Sequence, residues 1–344
     1  ERIRVQLRKK TDNIDDSKNL KDKIFAFKGL GMIGSADIIG AIITGIFWLS
    51  IATFLEVEEY GQIHYFLGIA GVAYVITLFG TQHTITVYSA KKVNVVSTLF
   101  FLSILAGVAA ALIVFIIYNE MDVSLLLIAY TINDLSLGYL LGKKLFNNYS
   151  KYILTQRMLV FILGFGFYFI FGVEGILYAL ALSYIHFAII IFNILKSSKI
   201  NFSLLKTRLG FIGNNYAINI SSVAKNSLDK IIVLPIIGFE VLGNYALALQ
   251  FYAVFMIFSM VVYQYTLPHD SVGQTTTKVK VIALISSVII TVLGVTITPF
   301  IMPIIFPEYN EAIIAIQIIS LAVIPSTVGL ILTSKFLGNE NSKI

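Results

Sequence analysis

Long apolar runs separated by short polar turns follow one another along almost the whole chain. A helix needs roughly 20 apolar residues to cross the hydrocarbon core of a bilayer, and a spanning helix satisfies all its own backbone groups there. The pattern therefore predicts an all-α integral membrane protein with about ten transmembrane helices. We place these helices at 29–55, 62–86, 94–118, 123–147, 151–171, 174–195, 211–238, 243–265, 279–305 and 310–336. The short break after Gly172 predicts a tight helical hairpin between the fifth and sixth helices.

The composition supports the same class of protein. Of the 344 residues, 57% are hydrophobic and 13% are charged, whereas roughly a quarter of the residues in a soluble domain are charged. The absence of cysteine excludes disulfides and thiolate chemistry, and with four histidines we expect neither a metal nor a cofactor. The chain contains no phosphate-binding, metalloprotease or serine-hydrolase motif, and its predicted outer loops are short. We therefore expect that it is not an enzyme.

Charges alternate between the turns. Lysine and arginine occupy every second turn, and aspartate and glutamate occupy the others. The positive-inside rule then places the basic turns and both termini in the cytoplasm, in a cell membrane. This placement accounts for the net charge of +6 without a nucleic-acid partner. The arm 1–28 is either an ordinary basic flank or a segment that binds anionic membrane lipids.

Two stretches resemble each other within the chain. FLEVEEYGQIHYFLGIAG at 54–71 and IGFEVLGNYALALQFYAV at 237–254 both contain an acidic turn, a glycine and an aromatic-rich helix. The same register aligns Gly61 with Gly243, Asp37 with Asn219 and Gln82 with Gln264, which indicates a duplication. Both halves begin with a helix that runs outward, so they are predicted to be parallel repeats. The predicted organisation is an arm at 1–28, a six-helix bundle at 29–195, a cytoplasmic linker at 196–210 and an incomplete four-helix bundle at 211–344.

Charged residues interrupt the predicted seventh helix at SSVAKNSLDKIIVLP, residues 221–235. A charge at the bilayer centre costs roughly 2.5–3.5 kcal/mol on insertion scales, so such residues face protein or water. Lys225 and Asp229 are four residues apart and share a helix face, whereas Lys230 points about 100° away. In one interpretation, Lys225 and Asp229 neutralise each other and hold the helix in register. In the other, Lys225 binds a phosphate or sugar of a substrate, and Asp229 tunes or couples that binding.

Other polar residues lie inside predicted helices. Asp37 is a cavity carboxylate, a proton site or the partner of a lysine, and Asp134 is expected to line the cavity. Arg157 either extends to the cytoplasmic interface or binds a phosphate. The two membrane histidines are either packed and hydrogen-bonded or proton-coupled. The candidate cavity residues are Lys225, Asp229, Asn219, Lys230, Asp37, Asp134 and Arg157, and the candidate coupling residues are Asp37, His186 and His83.

Several segments together resemble one family. They are LEVEEYGQIHYF (55–66), LFGTQHTITVYSAKK (78–92), FGVEGILYALALS (171–183), DKIIVLPIIGFEVLGNYALA (229–248), YQYTLPHDS (263–271) and IIFPEYNEAIIAIQIISLAVIP (304–325). In order and spacing they resemble the oligosaccharide flippases, the Wzx-like polysaccharide-biosynthesis branch of the multidrug/oligosaccharidyl-lipid/polysaccharide exporter superfamily. The resemblance covers residues 25–340. The chain departs from the family in length, because members have twelve to fourteen helices.

The resemblance implies two bundles around a hydrophilic cavity. The implied substrate is a polyprenyl-(pyro)phosphate-linked oligosaccharide that moves from the cytoplasmic to the outer leaflet for polysaccharide or glycan assembly. The implied partners are that substrate, membrane lipids and glycan-assembly enzymes. Two alternatives stay open. A cation-coupled multidrug exporter of the same superfamily would need a pocket dominated by carboxylates, and a truncated paralogue or scaffold would transport nothing.

Overall fold

The computed structural model describes residues 29, 31–197, 200–271 and 275–338, and within them the regular structure is helical, with no strand. The helices are α1 (Gly31–Ala52), α2 (Val57–Thr77), α3 (Gln82–Ala90), α4 (Val96–Tyr118), α5 (Met121–Gly142), α6 (Phe146–Phe171), α7 (Glu174–Leu182), α8 (Ala188–Ser197), α9 (Phe202–Lys206), α10 (Leu209–Ser271), α11 (Thr277–Ile305), α12 (Ala312–Leu321) and α13 (Val323–Gly338). A 3₁₀ turn, Ile185–Phe187, joins α7 to α8.

The helices have the length and apolar character of membrane spans. Among the described residues eight segments qualify, and the pair α2 and α3, bent by 42° at the break between them, makes a ninth. The part of α10 before Gly238 is helical but is not among these segments, and it carries Lys225, Asp229 and Lys230. The chain is thus a multi-pass helical membrane protein, and the predicted fold class is confirmed.

Some predicted boundaries are wrong, for identifiable reasons. The seventh and eighth predicted helices are two helices that meet at a kink at Gly238, with φ +84° and ψ 173°, within the range of α10, and the predicted turn at 239–242 is helical. Glycine adopts this backbone without a Cβ clash, so the helix resumes at once and no loop is needed. The acidic residues before Gly61 also begin a helix instead of forming a turn, since the Glu59 carboxylate accepts a hydrogen bond from the Glu56 N–H at 3.0 Å. The hairpin after Gly172 is confirmed, because α6 ends at Phe171 and α7 begins two residues after that glycine.

The aligned glycines of the two halves lie against each other's helix. A Cβ on Gly61 would overlap the carbonyl oxygen of Phe239, and a Cβ on Gly243 would overlap the carbonyl oxygen of Val57. Val57 and Phe239 are related by the same register as the two glycines, so the contact is reciprocal, as at a two-fold axis. Missing side chains let helix backbones approach this closely in a membrane. The halves therefore meet where the beginning of α2 packs against the part of α10 just after Gly238.

Further contacts join the halves towards the basic turns. The Tyr216 hydroxyl donates to the carbonyl of Ile76 at 2.7 Å, and its ring stacks on Phe79 with centroids 6.3 Å apart. On the other side of the bundle, Gln264 of α10 lies against Gly34 of α1. Between these contacts the halves enclose polar space.

Candidate functional site

Two cavities within the membrane-spanning region are lined by Asp134 with Lys230 and by Asp37 with Arg157. The central cavity has a volume of about 330 Å³ and lies between α2, α5 and α10. The α1–α6 cavity has a volume of about 310 Å³ and lies between α1, α6 and the end of α10. The polar side chains of the central cavity are His64, Tyr74, Tyr130, Asn133, Asp134, Tyr184 and Lys230. Those of the α1–α6 cavity are Asp37, Arg157 and Gln264. Each cavity is therefore built by both halves of the chain.

A break in the second predicted helix positions one wall of the central cavity. Between α2 and α3 the backbone leaves the helix, and the Thr81 hydroxyl caps α3 by accepting from the Thr84 N–H at 3.3 Å. Asp134 on α5 accepts a second N–H of this first turn, that of Gln82, at 2.9 Å. The first turn of a helix leaves its N–H groups unpaired and favours negative charge, so Asp134 both stabilises the break and is held at the cavity wall. Transporters often form their sites at such discontinuous helices.

Three tyrosines line the central cavity side by side. The Tyr74 and Tyr130 rings meet edge-to-face with centroids 5.4 Å apart, and the Tyr130 and Tyr184 rings do the same at 5.7 Å. They come from α2, from α5 and from the residue before the 3₁₀ turn. Each ring offers an apolar face and a hydroxyl that can donate or accept, which gives the wall both kinds of surface.

His64 is a cavity residue that the sequence prediction missed. Its side chain is 4% exposed, and its ring packs against Trp48 and Tyr60 with centroids 4.8 and 4.5 Å away. Its Nε2 atom is buried and has no hydrogen-bond partner among the described residues. A sequence signal existed: His64, Gly68 and Gly71 share one helix face at spacings of four and three, which marks a face with open space.

Asp229 and Lys230 form an ion pair at the edge of the central cavity. Lys230 Nζ lies 3.4 Å from Asp229 Oδ1, and the Tyr245 hydroxyl donates to Asp229 Oδ2 at 2.8 Å. Lys230 reaches its neighbour in sequence although the two point about 100° apart, because the lysine stem is long and flexible. The side chain of Lys225 lies outside the described residues, so its pairing with Asp229 stays a prediction.

The α1–α6 cavity contains a second acid and base. The Arg157 guanidinium and the Tyr149 hydroxyl lie near enough to the Asp37 carboxylate to stabilise its negative charge. Arg157 packs on α1, where a Cβ on Gly40 would meet its Cγ at 3.2 Å. Gln264 enters from the other half, and its Oε1 is buried without a hydrogen-bond partner among the described residues. Arg157 therefore faces a carboxylate and the other half of the chain.

Besides Asp229, which lies beside Lys230 at the edge of the central cavity, three described candidates line neither cavity. Asn219 has a buried Nδ2 without a hydrogen-bond partner among the described residues. His186 lies in the 3₁₀ turn with Nε2 3.0 Å from the Tyr152 carbonyl oxygen, and His83 is exposed on α3. The structure thus places Asp134 and Lys230 in one cavity and Asp37 and Arg157 in the other, and Asn219, His186 and His83 lie outside both. Within the described ranges no group of three or more acidic, histidine or cysteine side chains could hold a metal ion.

The comparisons with known proteins agree with this architecture. No protein-family model and no curated protein sequence matches the chain. The structure of an inward-facing multidrug resistance MATE family transporter of the MOP superfamily matches with a TM-score of 0.63 and 13% identity, over 88% of this chain and 81% of that one. An outward-facing transporter of the same description gives 0.57 and 15%, over 90% and 82%. A MATE structure in complex with MaD3S gives 0.53 and 16%, over 90% and 82%. At these identities the likeness concerns the fold, and the chain has the fold of the MATE transporters of the MOP superfamily.

Proposed function

We propose that the chain is a transporter, and not an enzyme, that flips a polyprenyl-(pyro)phosphate-linked oligosaccharide from the cytoplasmic to the outer leaflet. The observation that supports this substrate most directly is the charge balance of the two cavities. Asp134 shares the central cavity with Lys230, and Asp37 shares the α1–α6 cavity with Arg157. Each described cavity thus contains one formal negative and one formal positive side chain.

This balance fits a large hydrophilic headgroup better than a cationic drug. A site that selects cations leaves carboxylates unopposed, because a cation in the wall repels a cationic ligand. A glycan needs many hydrogen-bonding groups and no net charge, and its phosphate needs a cation close by. We assign Arg157 as the candidate for the phosphate, since its planar group can make two parallel hydrogen bonds to one.

The runner-up is a cation-coupled multidrug exporter. Two structures that share this fold are described as multidrug resistance transporters, and Asp37 and Asp134 are carboxylates within membrane-spanning helices. That function would require Arg157 and Lys230 to move away from these carboxylates when the drug binds. A non-transporting paralogue or scaffold for glycan-assembly enzymes is the third candidate.

Both proposed transport functions use the same membrane and orientation. The protein would lie in the cell membrane with both termini in the cytoplasm, so that the basic turns face the cytoplasm. The first half, the linker and the second half would keep their predicted limits, and rocking of one half against the other would expose the cavities to each side in turn.

The test uses purified protein in proteoliposomes. A fluorescent polyprenyl-pyrophosphate oligosaccharide is added, and its accessibility to an external glycosidase is followed, with and without ion gradients. Protein-dependent translocation supports the flippase. Uptake of a fluorescent lipophilic cation without glycan translocation supports the exporter, and silence from folded protein in both assays leaves the scaffold.

A matched pair of variants locates the path. Lys230→Gln removes the partner of Asp229 and the positive side chain of the central cavity, and we expect glycan flipping to fall about tenfold. Lys335→Gln removes the same charge from an exposed position near the end of α13 and should leave flipping unchanged. Equal effects of the two variants would argue against passage through the central cavity.

A further inference from the structure

We infer that the central cavity is a subsite for one uncharged sugar ring and that His64 binds this ring. The inference rests on the proposed function and adds to it a location for the glycan, a charge preference and a residue. Three features of the cavity support it: its mixed apolar and polar wall, its neutral charge balance and its unpartnered histidine.

The wall matches the two surfaces of a sugar. A pyranose has C–H groups on its faces and hydroxyl groups around its edge. Tyr74, Tyr130 and Tyr184 provide contiguous ring surface, while Asn133 provides both a donor and an acceptor. The volume of about 330 Å³ is that of a small-molecule site. Such a wall orients a polyhydroxylated ring with few polar groups.

The charges of the wall oppose a charged ligand. Lys230 is drawn to Asp229 at 3.4 Å, and Asp134 is held by the N–H of Gln82 at 2.9 Å. An anionic phosphate would approach Asp134 and would meet a lysine that is already paired with Asp229, unlike Arg157 in the α1–α6 cavity, and a cation would approach Lys230, so neither gains a net attraction. A neutral ring avoids both repulsions and can bond to the oxygen and nitrogen atoms that remain.

His64 supplies the independent sign of a ligand. A buried polar atom without a partner costs about 1–3 kcal/mol and is normally satisfied. Nε2 has no hydrogen bond among the described residues, and the hydroxyl of the neighbouring Tyr60 donates to the Trp48 carbonyl at 3.4 Å. A sugar hydroxyl can donate to this nitrogen or accept from it, so it satisfies either tautomer of the imidazole.

The chain carries its own reporter for the test. Trp48 is the single tryptophan, and its ring lies 4.8 Å from that of His64. We would titrate the protein in nanodiscs with methyl glucoside, methyl galactoside and N-acetylglucosamine, and then with glucose 1-phosphate and tetraphenylphosphonium. Tryptophan emission and saturation-transfer NMR would both be recorded. We expect saturable binding of at least one neutral sugar and much weaker binding of the anion and the cation.

Two sets of variants assign the residues. His64→Ala should weaken sugar binding about tenfold, and His64→Gln, which restores a donor and an acceptor, should recover part of it. Asn133→Asp makes the wall net negative and should shift preference towards tetraphenylphosphonium, whereas Asn147→Asp adds the same charge at an exposed position outside the cavity and should not. Circular dichroism identifies any variant that fails to fold.

Several results would overturn the inference. These are preferred binding of glucose 1-phosphate or of the cation by the unmodified protein, absence of neutral-sugar binding by both readouts, or unchanged sugar binding in His64→Ala. The proteoliposome assay separates this failure from failure of the proposed function. Glycan flipping without sugar binding in the cavity defeats the inference alone, and sugar binding without flipping defeats the flippase alone.

Discussion

Gln82 and Gln264 hold equivalent positions in the two halves, and their surroundings differ. Gln82 follows a break between two helices, and its N–H donates to Asp134 at 2.9 Å. Gln264 lies within α10, and its side-chain oxygen is buried against Gly34 without a hydrogen-bond partner among the described residues. Asp37 and Asn219 also hold equivalent positions with different surroundings. Only Asp37 is a carboxylate, and the positive charge of Arg157 lies near it.

The backbone contact at Gly61 and Gly243, in contrast, is the same from both sides. The comparison teaches that two features of the halves respond differently to sequence change. A contact between backbones depends on the absence of a side chain, so it is retained only while both positions stay glycine. Polar side chains can change in one half alone, and most of the polar wall of the central cavity comes from the first half.

The largest predicted effect comes from breaking the symmetric contact. Gly61→Ala and Gly243→Ala each place a Cβ on a backbone carbonyl of the other half, which cannot move aside as a side chain can. We expect each to destabilise the protein by about 1–3 kcal/mol and to impair glycan flipping. Thermal unfolding in detergent and the proteoliposome assay measure the two effects.

The control for this prediction is Gly166→Ala. A Cβ on this α6 glycine meets nothing within 4 Å, and alanine is the better helix former, so stability should be unchanged or slightly higher. Because the contact is reciprocal, the Gly61 and Gly243 variants should resemble each other. Unfolding temperatures equal to that of Gly166→Ala would show that the halves do not meet as described.

A smaller effect is expected from the asymmetric break. Asp134→Ala leaves the Gln82 N–H without its acceptor at the start of α3, and we expect a loss of about 1–2 kcal/mol in the free energy of unfolding. Asp134→Asn keeps an acceptor oxygen and should retain most of the stability while changing the charge of the central cavity. Denaturation in detergent distinguishes the two. Equal losses would indicate that the charge, and not the hydrogen bond to α3, stabilises the break.

The sequence predicted where most helices lie, but it did not predict which side chains contact one another. Apolar length predicted the spans, because a bilayer imposes one length on every helix. It could not predict that α10 runs through residues 239–242, since acidic residues and glycine are common in turns and here only Gly238 leaves the helix. It also could not predict the break before Gln82, which depends on Asp134, a residue far along the chain.

The candidate site shows the same division. Intramembrane charge correctly drew attention to Asp134, Lys230, Asp37 and Arg157, which line the two cavities. The grouping of these residues, from α1, α5, α6 and α10, into two cavities is a tertiary property that helix periodicity does not contain. His64 was missed because the glycines on its helix face indicate open space but do not show whether a histidine beside them is packed or lines a cavity.

The smallest predicted effect concerns Tyr88 and Asp270, which lie near the basic turns of the two halves. In the register of the repeat, Tyr88 corresponds to Asp270. The Arg208 guanidinium lies over the Tyr88 ring, 5.4 Å from its centroid. Asp270, beyond the spanning part of α10, instead accepts hydrogen bonds from Lys280 and Thr276 at 2.5 Å and from Ser334 at 2.7 Å. At its basic end the first half therefore has a tyrosine ring beneath Arg208, and the second half has the ion pair of Asp270 with Lys280.

The ion pair should make the second half sensitive to acid. Burial by itself raises the pKa of the Asp270 carboxyl, but the hydrogen bonds from Lys280, Thr276 and Ser334, with the charge of Lys280, outweigh burial and hold that pKa below its usual value. A depressed pKa contributes stability that is present above the unfolded-state value near about 3.9 and is lost as the pH falls through the folded-state value.

Asp270→Asn should cost about 1 kcal/mol at neutral pH and should abolish that part of the acid sensitivity. Tyr88→Phe keeps the ring beneath Arg208 and should leave the pH profile of unfolding unchanged. If both variants retained the acid sensitivity of the unmodified protein, the ion pair would not be what distinguishes the two basic ends.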